Sequence, residues 1–398
     1  MDNSLKALCR KYTVPQEVQS MGVYPYYKPI SSGQNPIVKM SDGSEVLMFG
    51  SNSYLGLSDD PRLKEAAIKA LKKYGTSCSG SRFLNGTLDI HEELEEKLAK
   101  FVGKDGAVTF STGFQVNLGV ISTLGGRGGY ILLDDTDHAC IIDGSRLSFS
   151  TVYKFKHNDM EALERKLQAC EAKAPKLIVV DGVYSMLGDL CPLPKVCELA
   201  EKYDAAVMVD DAHGLGVFGK NGAGTADHFG LTDRTDLIMG TFSKSFGSLG
   251  GFIAGDKEYI NYIKHTARSL IFSASMTPAA VAAARTALDI MQEEPERIEN
   301  LWKVTKYAHK AFRDNGFDIN ATVSPIIPLM VRDTNKALAI VEAAYREGVF
   351  ITPVIAPAVP EKDVLIRFAL MATHSTSQVD IAVEKLSVIF KNFGIIGQ

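Results

Sequence analysis

No C-x-x-C pair occurs among the six scattered cysteines (Cys9, Cys78, Cys140, Cys170, Cys191 and Cys197). Neither a zinc site nor a disulfide framework is therefore signalled, and a reducing cytoplasm is the expected setting. No apolar run approaches the roughly 20 residues that a bilayer-spanning helix needs. Residues 1–10 carry charges and no long apolar stretch, so they do not read as a signal peptide. Positive charge is not in excess: the formal net charge is -4, which gives no electrostatic reason to expect nucleic acid. Low-complexity tracts and a repeat period are also absent, so the chain does not read as a solenoid or an array. What is present is an ordinary globular composition, 45% hydrophobic and 23% charged over 398 residues. That suffices for two domains, or for one large α/β unit around a sizeable core.

Residues 1–45 read as an N-terminal arm. Its aromatic stretch 23–30 is interrupted by Pro25 and Pro29 and cannot be a regular helix. It packs on the body or a second subunit in one reading and touches a membrane surface or acyl chain in another. A short strand is expected at 46–49. A helix then starts at Asp59-Asp60-Pro61 and stops at Gly75. The thirteen mostly small, polar residues from Gly75 to Thr87 form a loop long enough to be functional. From Ala107 onward short β-rich runs recur at 107–110, 130–133, 177–180, 205–209, 237–239 and 251–254, with helical segments between most of them. Near-continuous apolar strands separated by helices imply an α/β fold with a mainly parallel central sheet covered on both faces. The expected division is a large domain over 46–285 and a smaller α+β C-terminal domain over 286–398.

Polar residues cluster just past five of these strands: Ser111-Thr112-Gly113-Phe114, Asp134 to His138, Asp181 to Ser185, Asp210-Asp211-Ala212-His213, and Thr241-Phe242-Ser243-Lys244. Ligands of open α/β sheets bind at such strand ends. Lys244 stands among small, hydroxylated and glycine residues with no acidic neighbour in its loop. By itself it reads equally as a nucleophile or as an ordinary turn lysine. A lysine, a strand-end carboxylate, an imidazole and a glycine/hydroxyl loop together suggest pyridoxal 5'-phosphate. Lys244 would hold the cofactor as an imine, Asp210 would keep the pyridine nitrogen protonated, and the helix entered through Gly113 would receive the phosphate, with Thr241 adding a hydroxyl. The run Gly214-Leu215-Gly216-Val217-Phe218-Gly219 matches G-x-G-x-x-G, so a nucleotide-dependent oxidoreductase is an alternative. A non-enzymatic lipid- or CoA-binding module is another, though it leaves Asp210 and Lys244 unexplained.

The Asp210–His213 motif with Gly214–Gly219, followed by Gly240-Thr241-Phe242-Ser243-Lys244, resembles the α-oxoamine synthases. These are fold-type I pyridoxal-phosphate enzymes that condense an amino acid with an acyl-CoA and release CO2. The resemblance runs from Phe49–Leu57 to Arg367–His374 and is greatest with the bacterial serine-using members, through residues 79–91, 137–146 and 272–278. It implies condensation of L-serine with a long-chain acyl-CoA such as palmitoyl-CoA, giving 3-ketodihydrosphingosine. Members that use glycine or alanine (2-amino-3-ketobutyrate CoA ligase, 8-amino-7-oxononanoate synthase) share the catalytic core.

Carried over, the resemblance makes Lys244 the Schiff-base lysine, Asp210 the partner of the ring nitrogen, and His213 the partner of the phenolic oxygen. His138 matches the ring-stacking histidine that also meets the substrate carboxylate. Gly113, Phe114 and Thr241 match phosphate or ring contacts. Ser273 and Ala274 match a stretch reaching the partner subunit's phosphate, Ala274 with backbone only. Arg367 matches the arginine for the amino-acid carboxylate. Asn52 and Ser53 stand where Asn-Asn or Asn-Asp is commoner and are assigned to substrate binding. No arginine precedes the 353–360 loop, which leaves the carboxylate to Arg367 and His138. A homodimer with sites at its interface is implied, and the lipid product implies transient contact with the inner face of the cytoplasmic membrane.

Overall fold

The structure, a computed structural model, describes residues 3–397. Residues 1 and 2 of the expected arm and residue 398 of the expected C-terminal domain lie outside the described residues. Helices Ser4–Arg10 and Val14–Ser20 bury no side chain, as an arm should. Strands β1 (Ile37–Lys39) and β2 (Glu45–Met48) then form an antiparallel pair. The helix Pro61–Tyr74 starts where Asp60 accepts the Arg62 N–H and Pro61 occupies the first turn.

The central sheet is made from β3 (Gly106–Phe110), β4 (Tyr130–Asp134), β5 (Thr151–Phe155), β6 (Lys176–Asp181), β7 (Ala206–Asp210), β8 (Leu237–Thr241) and β9 (Gly251–Gly255). Its seven strands run in the order β3-β9-β8-β7-β6-β4-β5. Apolar residues alternate between its faces. Leu132, Ile178, Val180, Val207, Val209 and Ile238 join one core, while Ile131, Leu133, Val179, Met208 and Met239 join the other. Both faces are therefore dry, which is why these strands read as unbroken apolar runs.

Two features of the sheet were not expected. Strand β5 is an edge strand with only Phe155 buried, so it lacks the apolar run that marked its neighbours. Strand β9 runs antiparallel to both β8 and β3. The reversal follows from length. Parallel neighbours need a crossover of a dozen or more residues, and only residues 242–250 join β8 to β9. That connection must turn straight back, and Lys244 sits in it.

The C-terminal part adds β10 (Ile326–Met330), β11 (Val349–Phe350), β12 (Thr352–Val354) and β13 (Leu365–Ala369). Strand β13 is the middle of an antiparallel sheet ordered β10-β13-β12, whereas β11 pairs with β2. The strand expected to open the large domain is thus joined to the C-terminal part. Residue 285, the expected boundary, falls inside the unbroken helix Pro278–Glu293, which buries Val281, Ala284 and Leu288. One continuous core contains residues of both regions, including Val209, Leu288, Ile327 and Phe368. Among the described residues no helix is long and apolar enough to cross a membrane.

Candidate active site

Register brings the chemistry together. Asp181 of β6 pairs directly with Asp210 of β7, which pairs with Met239 of β8, so three strand ends share one level. A cavity of about 250 Å³ opens there, lined by Gly113, Phe114, His138, Asp210, His213, Thr241 and Lys244. All seven are residues singled out from the sequence. Cys140, Asp181, Ser185 and Ser243 line it too. They were not singled out individually, because a strand-end cluster does not show which of its side chains point inward.

The loop carrying Lys244 is pinned on both sides. Phe242 and Phe246 are fully buried and their ring centroids lie 5.1 Å apart. Burial of each ring contributes about 2–3 kcal/mol. Phe242 N–H donates to Gly250 O (2.9 Å), Ser248 N–H to Phe242 O (2.8 Å) and Ser245 Oγ to Leu215 O (2.7 Å). Lys244 is left half-buried at the cavity. Burial lowers its amine to about 8, against the opposing pull of Asp210 and Asp181.

The helix Gly113–Leu124 begins at the cavity, with Thr112 accepting the Gln115 N–H (3.2 Å) as its cap. Its first residue must be glycine: a Cβ on Gly113 would lie 2.8 Å from Thr241 Oγ1 and 2.9 Å from Thr241 Cβ. Gly251 faces it in turn, since a Cβ there would come within 2.8 Å of the Gly113 Cα. The end of β8 is thereby brought against the helix N-terminus, where free N–H groups and the Thr241 and Ser243 hydroxyls (3.0 Å apart) can receive an anion.

The opposite side is set by the C-terminal sheet. Arg367 of β13 is 6% exposed; its Nε donates to Ser185 O (2.8 Å) and its Nη2 to Tyr54 Oη (3.1 Å). Tyr54 Oη lies 2.6 Å from His213 Nδ1. Arginine can only donate, so the tyrosine's one proton goes to His213. His213 is then neutral with its proton on Nε2. Burial, with Lys244, Arg367 and His138 nearby, holds its basicity well below the usual imidazole range. Tyr54 was missed as a site residue, since its two partners are 159 and 313 residues away in the chain.

The remaining expected residues lie outside this cavity. Asn52 Oδ1 is 3.4 Å from Tyr54 Oη, at its edge. Ser53 is not available to a substrate as expected: its hydroxyl is buried and committed to Ser58 Oγ at 2.8 Å. Ser273 accepts from Gln115 Nε2 (2.9 Å), and the Ala274 carbonyl accepts from Ser111 Oγ, at a separate small cleft.

The G-x-G-x-x-G run is no phosphate cradle. It wraps the buried Asp211, which accepts Thr225 N–H and Oγ1–H and is pushed up to about 7 by burial. A Cβ at Gly214 or Gly224 would collide with that carboxylate. Only the four-residue helix Thr225–His228 follows, so a nucleotide site is not formed.

Behind His138 lies a charged clamp. His157 Nδ1 contacts Asp134 Oδ1 (3.1 Å) and its Nε2 contacts Asp189 Oδ2 (2.8 Å), while Tyr184 Oη donates to Asp134 Oδ2 (3.0 Å). Burial opposes the charge, but the two carboxylates lift His157 to about 10. A raised value stabilises the fold at low pH. The contribution is complete below about pH 6.5, declines as pH rises towards 10 and is lost above it. His157→Gln is therefore expected to cost about 3 kcal/mol at pH 6. Urea unfolding should show the gap shrinking above pH 10, and a gap independent of pH would contradict the charged clamp.

Comparison with known proteins agrees with this geometry. Residues 44–386 match the aminotransferase class I and II family. The chain belongs to that family. A serine palmitoyltransferase of Sphingobacterium spiritivorum is 59% identical over 380 residues, covering 96% of this chain and 95% of the relative. An 8-amino-7-oxononanoate synthase of Petrotoga mobilis is 42% identical, covering 96% and 97%. The serine palmitoyltransferase of S. paucimobilis with a bound PLP–myriocin aldimine superposes with a TM-score of 0.95 at 33% identity, covering 99% of this chain and all of that one. The fold of this family member is that of the fold-type I pyridoxal-phosphate enzymes, and the resemblance to the α-oxoamine synthases is borne out.

Proposed function

We propose that this protein condenses L-serine with palmitoyl-CoA, or a similar long-chain acyl-CoA, releasing CoA and CO2 and giving 3-ketodihydrosphingosine. The convergence of Lys244, Asp210, His213 and His138 on one cavity carries the reaction class. The choice of serine rests on 59% identity to enzymes named serine palmitoyltransferase against 42% to those named 8-amino-7-oxononanoate synthase.

The residues present fit pyridoxal phosphate. They supply a lysine of lowered basicity, a carboxylate 4% exposed, and an anion-receiving helix start at the ends of one cavity. Bound there, the cofactor supplies an electron-accepting ring that lets bonds at an amino acid's α-carbon be broken. Asp210 holds a proton at the ring nitrogen, and His213 donates from Nε2 to the phenolic oxygen. The Gly113 helix start with Thr241 and Ser243 receives the phosphate, and Phe114 and His138 flank the ring. Lys244, as the free amine, takes the α-proton of serine and later returns a proton to the product. Arg367 and His138 orient the carboxylate, with Asn52 at the edge of that subsite.

Arg367→Ala is expected to raise KM for serine by roughly 10- to 100-fold, the worth of a charge-assisted contact. kcat should change less, and steady-state kinetics will decide. An unaltered KM would move the carboxylate site elsewhere.

A homodimer is part of the proposal. Phe272 (73%), Leu84 (78%) and Phe83 (57%) are exposed beside the cleft that holds Ser273 and Ala274, an apolar rim suited to a second copy. The exposed Leu5, Leu8 and Tyr12 suit brief contact with a membrane carrying the lipid product. The deciding experiment titrates the holoenzyme with serine, glycine and alanine, following the visible spectrum, and then identifies the palmitoyl-CoA product by mass spectrometry. A response to glycine or alanine but not serine would overturn the substrate assignment.

A further inference from the structure

Asp210 and His138 stand past different strands, β7 and β4, yet one hydrogen-bonded line joins them. Asn117 Nδ2 lies 2.6 Å from Asp210 Oδ2 and 3.0 Å from Cys140 Sγ, and Cys140 Sγ lies 2.8 Å from His138 Nδ1. Asn117 is fully buried and Cys140 is 3% exposed, so water does not compete for these contacts. Donor counting sets their direction. A carboxylate only accepts, so the Asn117 amide nitrogen faces Asp210. Its second N–H meets the Cys140 sulfur, whose own S–H points to His138 Nδ1. That same nitrogen also accepts the Cys140 backbone N–H at 3.2 Å. Nδ1 is thus an acceptor twice over, and neutral His138 carries its proton on Nε2, the donor left for a ligand.

The amide is held for its N–H groups. Its oxygen, Oδ1, is buried without a hydrogen-bond partner. An orphaned carbonyl oxygen costs about 1–3 kcal/mol, which a leucine of similar shape would avoid.

We propose that Asn117 and Cys140 are positioning residues that hold His138 as the Nε2–H tautomer and tie its orientation to the carboxylate of Asp210. The proposal rests on the assignment of His138 and Asp210 to the cofactor. In catalysis it means that the carboxylate-orienting histidine offers an N–H, and that its ring cannot turn over without breaking the line to Asp210.

The test uses holoenzyme labelled with 15N at histidine. Its His138 signals are assigned by their loss in His138→Gln, and its tautomer is read from two-bond proton–nitrogen correlations. Wild type should show His138 neutral and unprotonated at Nδ1. Cys140→Ser keeps a donor and should keep that pattern. Cys140→Ala and Asn117→Leu should give mixed tautomers, and Cys140→Ala should raise the His138 titration by roughly half to one pH unit, the worth of one hydrogen bond. Protonation at Nδ1 in wild type, or Cys140→Ala titrating like Cys140→Ser, would overturn the proposal. The wild-type spectrum decides even if a variant fails to fold. The cofactor reading fails separately: pyridoxal phosphate added to the cofactor-free protein would then leave the His138 signals unmoved, whichever tautomer they report.

Discussion

Lys244→Ala is expected to lower turnover by at least about 10⁴-fold, the upper end of what a positioned base contributes, and to remove the visible absorption band of the bound cofactor. The expectation follows from the surroundings of the side chain. Burial lowers the amine to about 8, so a large share is unprotonated near neutrality. Phe242 and Phe246 hold the loop from below, and their burial does not depend on the lysine. The variant should therefore stay folded, with a change in unfolding free energy of less than about 1 kcal/mol, so lost activity reports chemistry. Cofactor uptake by the cofactor-free wild type needs the neutral amine. Its rate should rise about tenfold per pH unit at low pH and level off above the Lys244 value of about 8. Turnover with serine and acyl-CoA in the alanine variant would sink the assignment of Lys244.

Asp210→Ala should leave the cofactor attached, with its visible band, while lowering turnover by about 10²–10³-fold. Losing one partner of a buried charged contact costs about 2–5 kcal/mol, and each 1.36 kcal/mol is tenfold in rate. Two acids meet at the strand ends, and they divide their roles. Burial and the charge of Asp210 push Asp181 well above the usual carboxylate range, so Asp181 keeps its proton. Asp210 is held by the Asn117 amide (2.6 Å) and the Ala212 N–H (3.1 Å), both of which favour a carboxylate. Steady-state rates and absorbance on the same preparation check the pairing of a kept band with a lost rate. Wild-type turnover in Asp210→Ala would mean that the carboxylate is not at the ring nitrogen.

The sequence by itself determined the α/β class, the order of most central strands and the core of the site. Those features have local signatures. A strand dry on both faces is a continuous apolar run, and a polar residue at its end stands out. Lys244, Asp210, His213, His138 and Gly113 were legible for that reason, and β5 was not, because an edge strand has no such run. Only the tertiary structure decided how β9 turns back over Lys244, that β2 pairs with β11, and that Ser53 is committed to Ser58. It alone placed Tyr54 between Arg367 and His213, and Asn117 and Cys140 between Asp210 and His138. These are hydrogen bonds between buried groups, most of them far apart in the chain. Their partners are selected by the cost of leaving a polar atom dry and unpaired, a cost that exists only once the core has closed around it.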